Sequence, residues 1–248
     1  MKKLYTTILS LFFLTNIINA QTGTLYQASY NGSFYEFGYE SLPKISVTGA
    51  PEDTDWDRWS ILHDGEVYRL YFMPIGKSNK LYQFGYNPTT EKYEYGYESI
   101  PVIPIANLPI DANVTNFSIL YDGSYYRLYF KSSDNYSIYQ CAFNTSSSRY
   151  EFGYESIKQI PITNAPTDID IKSWTMLHDG ENYRLYFKSA KSKNILYQFG
   201  FNGISYEYGY ESIEILRVEG IPSIPFTRKF NITFDGDTYR YYNLQKPY

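Results

Sequence analysis

Apolar and polar residues alternate with period two through most of the chain. In YRLYF from Tyr68, the residues Tyr68, Leu70 and Phe72 share one face while Arg69 points the other way. In YEFGYES from Tyr35, the residues Tyr35, Phe37 and Tyr39 oppose Glu36 and Glu40. Such alternation predicts half-buried strands. Four phrases of this kind recur four times in constant order. YEFGYES returns from Tyr93, Tyr150 and Tyr206, at steps of 58, 57 and 56 residues. WSILHDG from Trp59 returns from Phe117, Trp174 and Phe230, and YRLYF returns from Tyr126, Tyr183 and Tyr239. LYQASY from Leu25 returns from Leu81, Ile138 and Leu196. Repetition at a fixed period is the signature of an architecture built from stacked units.

Between the first and second predicted strands stands Asp-Gly, at Asp64-Gly65, Asp122-Gly123, Asp179-Gly180 and Asp235-Gly236. A two-residue Asp-Gly loop of type I′ between alternating runs predicts a hairpin. Each repeat then reads as a four-stranded antiparallel meander. A linker follows that contains proline in every copy, among them Pro43, Pro104, Pro161 and Pro222. Proline cannot donate to a ladder, so these linkers are expected to leave the sheet and cross to the next unit. The chain after residue 20 begins with a third and fourth strand and ends with a first and second. Each half alone would be a marginal hairpin with an exposed edge; together they complete one unit and shut a ring. The predicted fold class is therefore all-β: a four-bladed β-propeller of four repeats of about 57 residues. Residues 21–248 form one domain, with blades at about 59–99, 117–156, 174–212, and 230–244 joined to 25–41.

Four blades of four strands, a first strand ending in Asp-Gly and a Tyr-Arg strand after it resemble hemopexin-like domains. The resemblance implies a propeller that binds proteins, ions or other ligands through its channel and rims.

Composition sharpens this picture. The 30 Tyr and 16 Phe suit pleated, half-buried surfaces. Lys2 and Lys3, an apolar run from Leu4 to Ile18 and a small Ala20 predict a signal peptide over residues 1–20. Its loss leaves no segment apolar enough to span a bilayer, and predicts a secreted, periplasmic or extracellular product. Without Lys2 and Lys3 the formal charge falls from −4 to −6, and no basic stripe emerges, which argues against nucleic acid as partner. The single Cys141 cannot form an internal disulfide.

Candidate chemistry is sparse. Arg69, Arg127, Arg184 and Arg240 hold one repeat position; Glu40, Glu98, Glu155 and Glu211 hold another, and Glu36, Glu94, Glu151 and Glu207 a third. They read as a repeated Arg–Glu network or as a ring of equivalent ligand sites. His63 and His178 share a position filled elsewhere by Tyr121 and Phe234; packing is the bland reading and a shared metal the sharp one. No cofactor is expected, although first-strand carbonyls around an axis can hold a cation. Asp55, Trp56 and Asp57 form an acidic stretch around a tryptophan expected to be exposed, a candidate site for a sugar or cation. Sequons stand at Asn31, Asn113, Asn116, Asn135, Asn144 and Asn231. The function expected is a secreted, non-catalytic recognition module for a protein or a carbohydrate, held by rim loops or by pockets between blades. The alternatives are a glycan-cleaving enzyme, for which Asp53, Asp57 and Glu219 lie outside the repeat pattern, and a structural or toxin-associated surface component. Nothing in the sequence specifies an oligomeric state.

Overall fold

The computed structural model describes residues 21–40, 42, 44–76, 79–211 and 213–247. The predicted signal segment lies outside the described residues. Within them the chain is all-β and propeller-like. Twenty strands follow one another: β1 (Gln21–Tyr30), β2 (Tyr35–Phe37), β3 (Ile45–Ala50), β4 (Thr54–His63), β5 (Tyr68–Pro74), β6 (Lys80–Asn87), β7 (Lys92–Tyr95), β8 (Val102–Ala106), β9 (Ala112–Tyr121), β10 (Tyr126–Ser132), β11 (Ser137–Asn144), β12 (Arg149–Phe152), β13 (Gln159–Thr163), β14 (Ile169–His178), β15 (Tyr183–Ser189), β16 (Ile195–Phe201), β17 (Tyr206–Tyr208), β18 (Ile215–Glu219), β19 (Phe230–Phe234) and β20 (Tyr239–Gln245).

Three antiparallel meanders are continuous in sequence: β4 to β7, β9 to β12 and β14 to β17. The fourth joins the two ends of the chain, as β19–β20–β1–β2, with Leu25 opposite Leu244 and Ala28 opposite Tyr241. The first strands adjoin one another in cyclic order, β4–β9–β14–β19 and back to β4. Small hydroxyls on these strands tie neighbours together. Ser60 Oγ accepts from the backbone N–H of Ile119, and Ser118 Oγ from that of Met176. Asn231 Nδ2 donates to Ser60 Oγ across the closing junction.

The apolar core lies between the units. It divides into four clusters, each made from the facing sheets of two neighbours, with Trp59, Phe117, Trp174 and Phe230 fully buried at the inner ends. Removing such aromatic area from water is the dominant favourable term.

Two expectations are corrected. The proline linkers do not leave the sheet. Within them β8 runs antiparallel to β6 of its own unit and parallel to β12 of the next, and β13, β18 and β3 repeat the pattern. Pro104 and Pro161 are tolerated because each faces outward, between neighbours whose side chains point inward and whose N–H groups still donate. The Asp-Gly turns are not two-residue type I′ loops either. His63 pairs with Tyr68, which leaves four loop residues, and of Asp64 and Gly65 only the glycine has positive φ, at 96°. Asp64 Oδ1 accepts from the N–H of Glu66 and Val67, so the carboxylate itself caps the turn.

The other oxygen of each turn aspartate links units. Asp64 receives the Tyr126 hydroxyl, Asp122 that of Tyr183, Asp179 that of Tyr239 and Asp235 that of Tyr68, at 2.8–2.9 Å. Each also binds the arginine five residues on: Arg69, Arg127, Arg184 and Arg240. The four bridges run in one direction and close on themselves.

Two outcomes follow. A chain ending at residue 229 lacks β19 and β20 and strips β1 of its partner; by thermal denaturation and gel filtration it should lose its cooperative transition or aggregate, and a monomer of unchanged stability would contradict closure. At Asp235, burial raises the pKa, but the Thr238 N–H, Arg240 and Tyr68 outweigh it and hold the carboxyl at about 2. The folded value lies below the unfolded one near 3.9, so this stabilisation is complete above about pH 4 and is lost as pH falls toward 2. Asp235→Asn should cost about 1–3 kcal/mol at neutral pH, read as roughly 2–4 °C in Tm per kcal/mol, and should flatten the acid limb of the stability curve.

Candidate functional site

The main partner of each repeated arginine is its turn aspartate; the glutamate pairs through its carboxylate at Arg184–Glu211 and through its backbone carbonyl at Arg127 and Arg240. Pinned by the turn aspartates, the arginines stand at the mouths of clefts between units. In the cleft between the first and second units, Arg69, Gln83 and Glu98 face Tyr126, Phe143 and Tyr150. The next presents Arg127, Gln140 and Glu155 to Tyr183, Phe201 and Tyr206. Where the fourth unit meets the first, Arg240, Gln27 and Glu40 face Tyr68, Tyr86 and Tyr93. The cavities measure about 210, 200 and 580 Å³. Each therefore combines a guanidinium, an amide, a glutamate and an aromatic wall, at equivalent positions.

The glutamates carry a backbone signature. Glu40, Glu98 and Glu155 sit at φ 38°, 41° and 39°, a left-handed conformation that costs a residue with a Cβ free energy and persists only where its surroundings hold it. Arg127 and Arg240 donate to the backbone carbonyls of Glu155 and Glu40, which leaves the glutamate side chains to the cleft lining. The fourth junction differs. Glu211 is not among the left-handed residues, and its carboxylate turns inward to bind Arg184 Nε at 2.7 Å and Gln198 Nε2 at 3.4 Å. Arg184 is thus doubly paired, with Asp179 and Glu211.

The other sequence candidates fare differently. Trp56 is not exposed. It lies in β4 at 7% exposure, packs edge-on against Phe72 and donates to Gln21. Alternation continues through residues 54–58 because this stretch is the outer half of a ten-residue strand, so Trp56 falls on the inward face. Asp55 pairs with Arg58 and Asp57 with Lys246, so the acidic stretch is a neutralised strand end. Asp53 is in fact part of the repeat. It accepts from Tyr82, as Asp111 does from Tyr139 and Asp168 from Tyr197. Glu219 is exposed at the end of β18.

His63 and His178 border the same axial cavity of about 10 Å³, at the lower limit for one water. Each ring lies 4.4 Å from a tyrosine ring, Tyr68 or Tyr183, and burial lowers both pKa values, which favours neutral imidazole. Among the described residues no group of three or more His, Cys, Asp or Glu is placed to hold a metal ion. Nearer the other end of the first strands, two carbonyls that an axial cation would use, those of Phe117 and Trp174, each accept from Lys229 Nζ at 2.7 Å. The chain supplies its own ammonium there. Cys141 is fully buried, and burial pushes its thiol up to about 12, away from the reactive thiolate. Of the sequons, Asn116 and Asn231 are buried.

Sequence reasoning singled out the arginines and the glutamates but missed the glutamines. Their signal was present, since Gln27, Gln83, Gln140 and Gln198 recur at the third position of LYQ. Nothing in the sequence, however, brings LYQ of one repeat against the YRLYF tyrosine of the next.

No protein-family model matches the chain, and no curated protein matches it. Among solved structures it is similar to the SapL1 lectin in complex with α-methyl fucoside, at 13% identity and a TM-score of 0.35, over 78% of this chain and 63% of that one. It is also similar to the six-bladed fucose-recognising lectin of the fungus Aleuria aurantia, at 13% identity and a TM-score of 0.41, over 85% and 68% of the two chains. A third is AofleA from Arthrobotrys oligospora, at 15% identity and a TM-score of 0.35, over 85% and 57%. The chain spans between 57% and 68% of the length of these proteins.

Proposed function

We propose that residues 21–248 form a four-bladed propeller, exported after loss of residues 1–20, that recognises a glycan without catalysing a reaction. The observation that carries this reading is the triplication of one cleft chemistry: arginine, glutamine and glutamate beside tyrosine and phenylalanine faces. A sugar ring needs both parts, polar donors and acceptors for its hydroxyls and a flat apolar surface for its C–H face. Two of the clefts, at about 200 Å³, lie below the range of drug-sized sites, which suits a single sugar ring. Equivalent sites on one rigid frame also favour a multivalent ligand, because the second and third contacts become intramolecular. Four units, their cyclic inner strands and the closed Asp–Tyr bridges support the blade count, in keeping with the hemopexin-like architecture that the repeats resemble.

The non-catalytic part of the proposal rests on where the carboxylates are. Asp53 belongs to a repeated Tyr–Asp pair, Asp57 to a surface ion pair, and Glu219 to an exposed strand end. None of these three lines the three clefts, whose own glutamates, Glu40, Glu98 and Glu155, hold one repeated position and so do not supply two non-equivalent carboxylates at that position.

On a glycan array, residues 21–248 should give hits that free sugar competes away, with α-methyl fucoside among the competitors. Gln27→Leu, Gln83→Leu and Gln140→Leu remove the amides without touching the Asp–Arg bridges. Each alone should weaken binding to a multivalent surface about tenfold, the loss of roughly one good hydrogen bond at a buried site, and the triple variant should abolish it. Protein captured from extract with no glycan hits would overturn the glycan reading. Turnover of a polysaccharide, abolished by one carboxylate substitution, would overturn the non-catalytic one.

A further inference from the structure

The fourfold pattern breaks at one place. The first strands β4, β9 and β14 are each ten residues long, but β19 has five. In the first three units the outer half of that strand pairs with the end of the second strand, Asp55 with Met73, Asn113 with Lys131 and Asp170 with Lys188. In the fourth unit the corresponding stretch, residues 225–229, begins with Pro225, and no strand forms between Glu219 and Phe230. Pro225 removes one ladder donor at the point where the other units begin this pairing, and of the segment's N–H groups that of Thr227 still reaches the second strand, at the Leu244 carbonyl, 2.8 Å. Between this displaced segment and the rim of the third unit opens a cavity of about 570 Å³, on the rim opposite the Asp-Gly turns.

The lining of this cavity is basic. Lys172, Lys188, Lys191, Lys193 and Arg228 stand against the single carboxylate of Asp170. Asp170 is already paired with Arg228 at 3.1 Å, and none of the four lysines has a carboxylate within ion-pair distance among the described residues. In a chain of net negative charge this is a local reversal of sign. At the inner wall, Lys188 lies over the rings of Phe230 and Tyr241 and reaches Asn243 Oδ1 at 3.5 Å. Burial lowers its pKa to about 8, so the ammonium is held at a cost that an anion would relieve. Lys191 and Lys193 come from the loop after β15, where the equivalent loop after β10 has Asp134 and Asn135.

We propose that this cavity is a second binding site, distinct from the inter-unit clefts, for a saccharide bearing a sulfate or carboxylate group. An inorganic anion is far smaller than the space. The rest of the lining is what a sugar uses: the hydroxyl of Ser192, the Asn243 amide and the rings of Phe226 and Tyr241. Lysine clusters attract anions through charge, and Lys188 at the inner wall is screened less than the exposed lysines at the mouth.

Calorimetric titration of residues 21–248 at about 0.15 M salt tests this with four probes: a sulfated heparin-derived disaccharide, its desulfated uronate-bearing parent, lactose and sodium sulfate. The two charged sugars should bind and lactose should not. The triple variant Lys172→Gln, Lys191→Gln and Lys193→Gln changes only exposed side chains, and should lose about tenfold in affinity for the sulfated disaccharide, as three partly exposed ion pairs would give. Unchanged affinity in that variant would overturn the proposal, as would equal binding of sodium sulfate, which would mean an adventitious ion only. A single-stranded oligonucleotide bound as tightly as the disaccharide would overturn the saccharide assignment. The site does not depend on the cleft reading, because the Gln27, Gln83 and Gln140 variants should leave the charged-sugar titration intact.

Discussion

Each unit hands the carboxylate of its first turn to a tyrosine of the next, and the whole arrangement depends on that exchange. One oxygen of the aspartate caps its own turn; the other is shared between its own arginine and the neighbour's tyrosine. Charge-assisted hydrogen bonds of this kind contribute about 1.5–3 kcal/mol each, and a half-buried carboxylate stripped of them would be costly to leave in place. Because Asp235 reaches Tyr68, the last bridge in sequence ties the fourth unit, built from both ends of the chain, back to the first. Register, spacing and closure are thus set by one contact type used four times.

The same bridges explain why the clefts have their composition. An arginine pinned by its turn aspartate has little rotamer freedom left, so it presents its guanidinium edge to the gap between units. The tyrosine that completes the bridge forms the opposite wall. A recognition surface therefore arises from structural parts, with the glutamate and glutamine as additions. Where one glutamate lacks the positive φ of its three counterparts, at Glu211, its carboxylate turns to Arg184. A small backbone difference decides where that carboxylate goes.

Departures from repetition are as informative as repetition. Lys229 stands where the other units have Arg58, Asn116 and Ser173, and it reaches carbonyls of two other units. The fourth linker is the one with no outer first-strand half, and the basic cavity lies beside it. Ring closure from two chain ends makes the fourth unit the natural place for such change, since its segments are the least constrained by continuous sequence.

The all-β, propeller-like class was legible in the sequence, because period-two alternation and fixed-period recurrence follow from local backbone geometry and apply to each phrase separately. So were the arginine and glutamate positions, as repeated charges on outward faces. What could not be read was partnership across units. Alternation places Trp56 on a face without saying that the face is covered, and Pro104 in a linker without saying that its neighbours pair. The Arg–Asp–Tyr bridges, the Glu211–Arg184 pair and the lysine-lined cavity bring together residues that are distant in sequence, or separated by a change of backbone conformation. Only packing of one sheet on the next brings those groups within hydrogen-bonding reach, and that distance is a property of the tertiary structure alone.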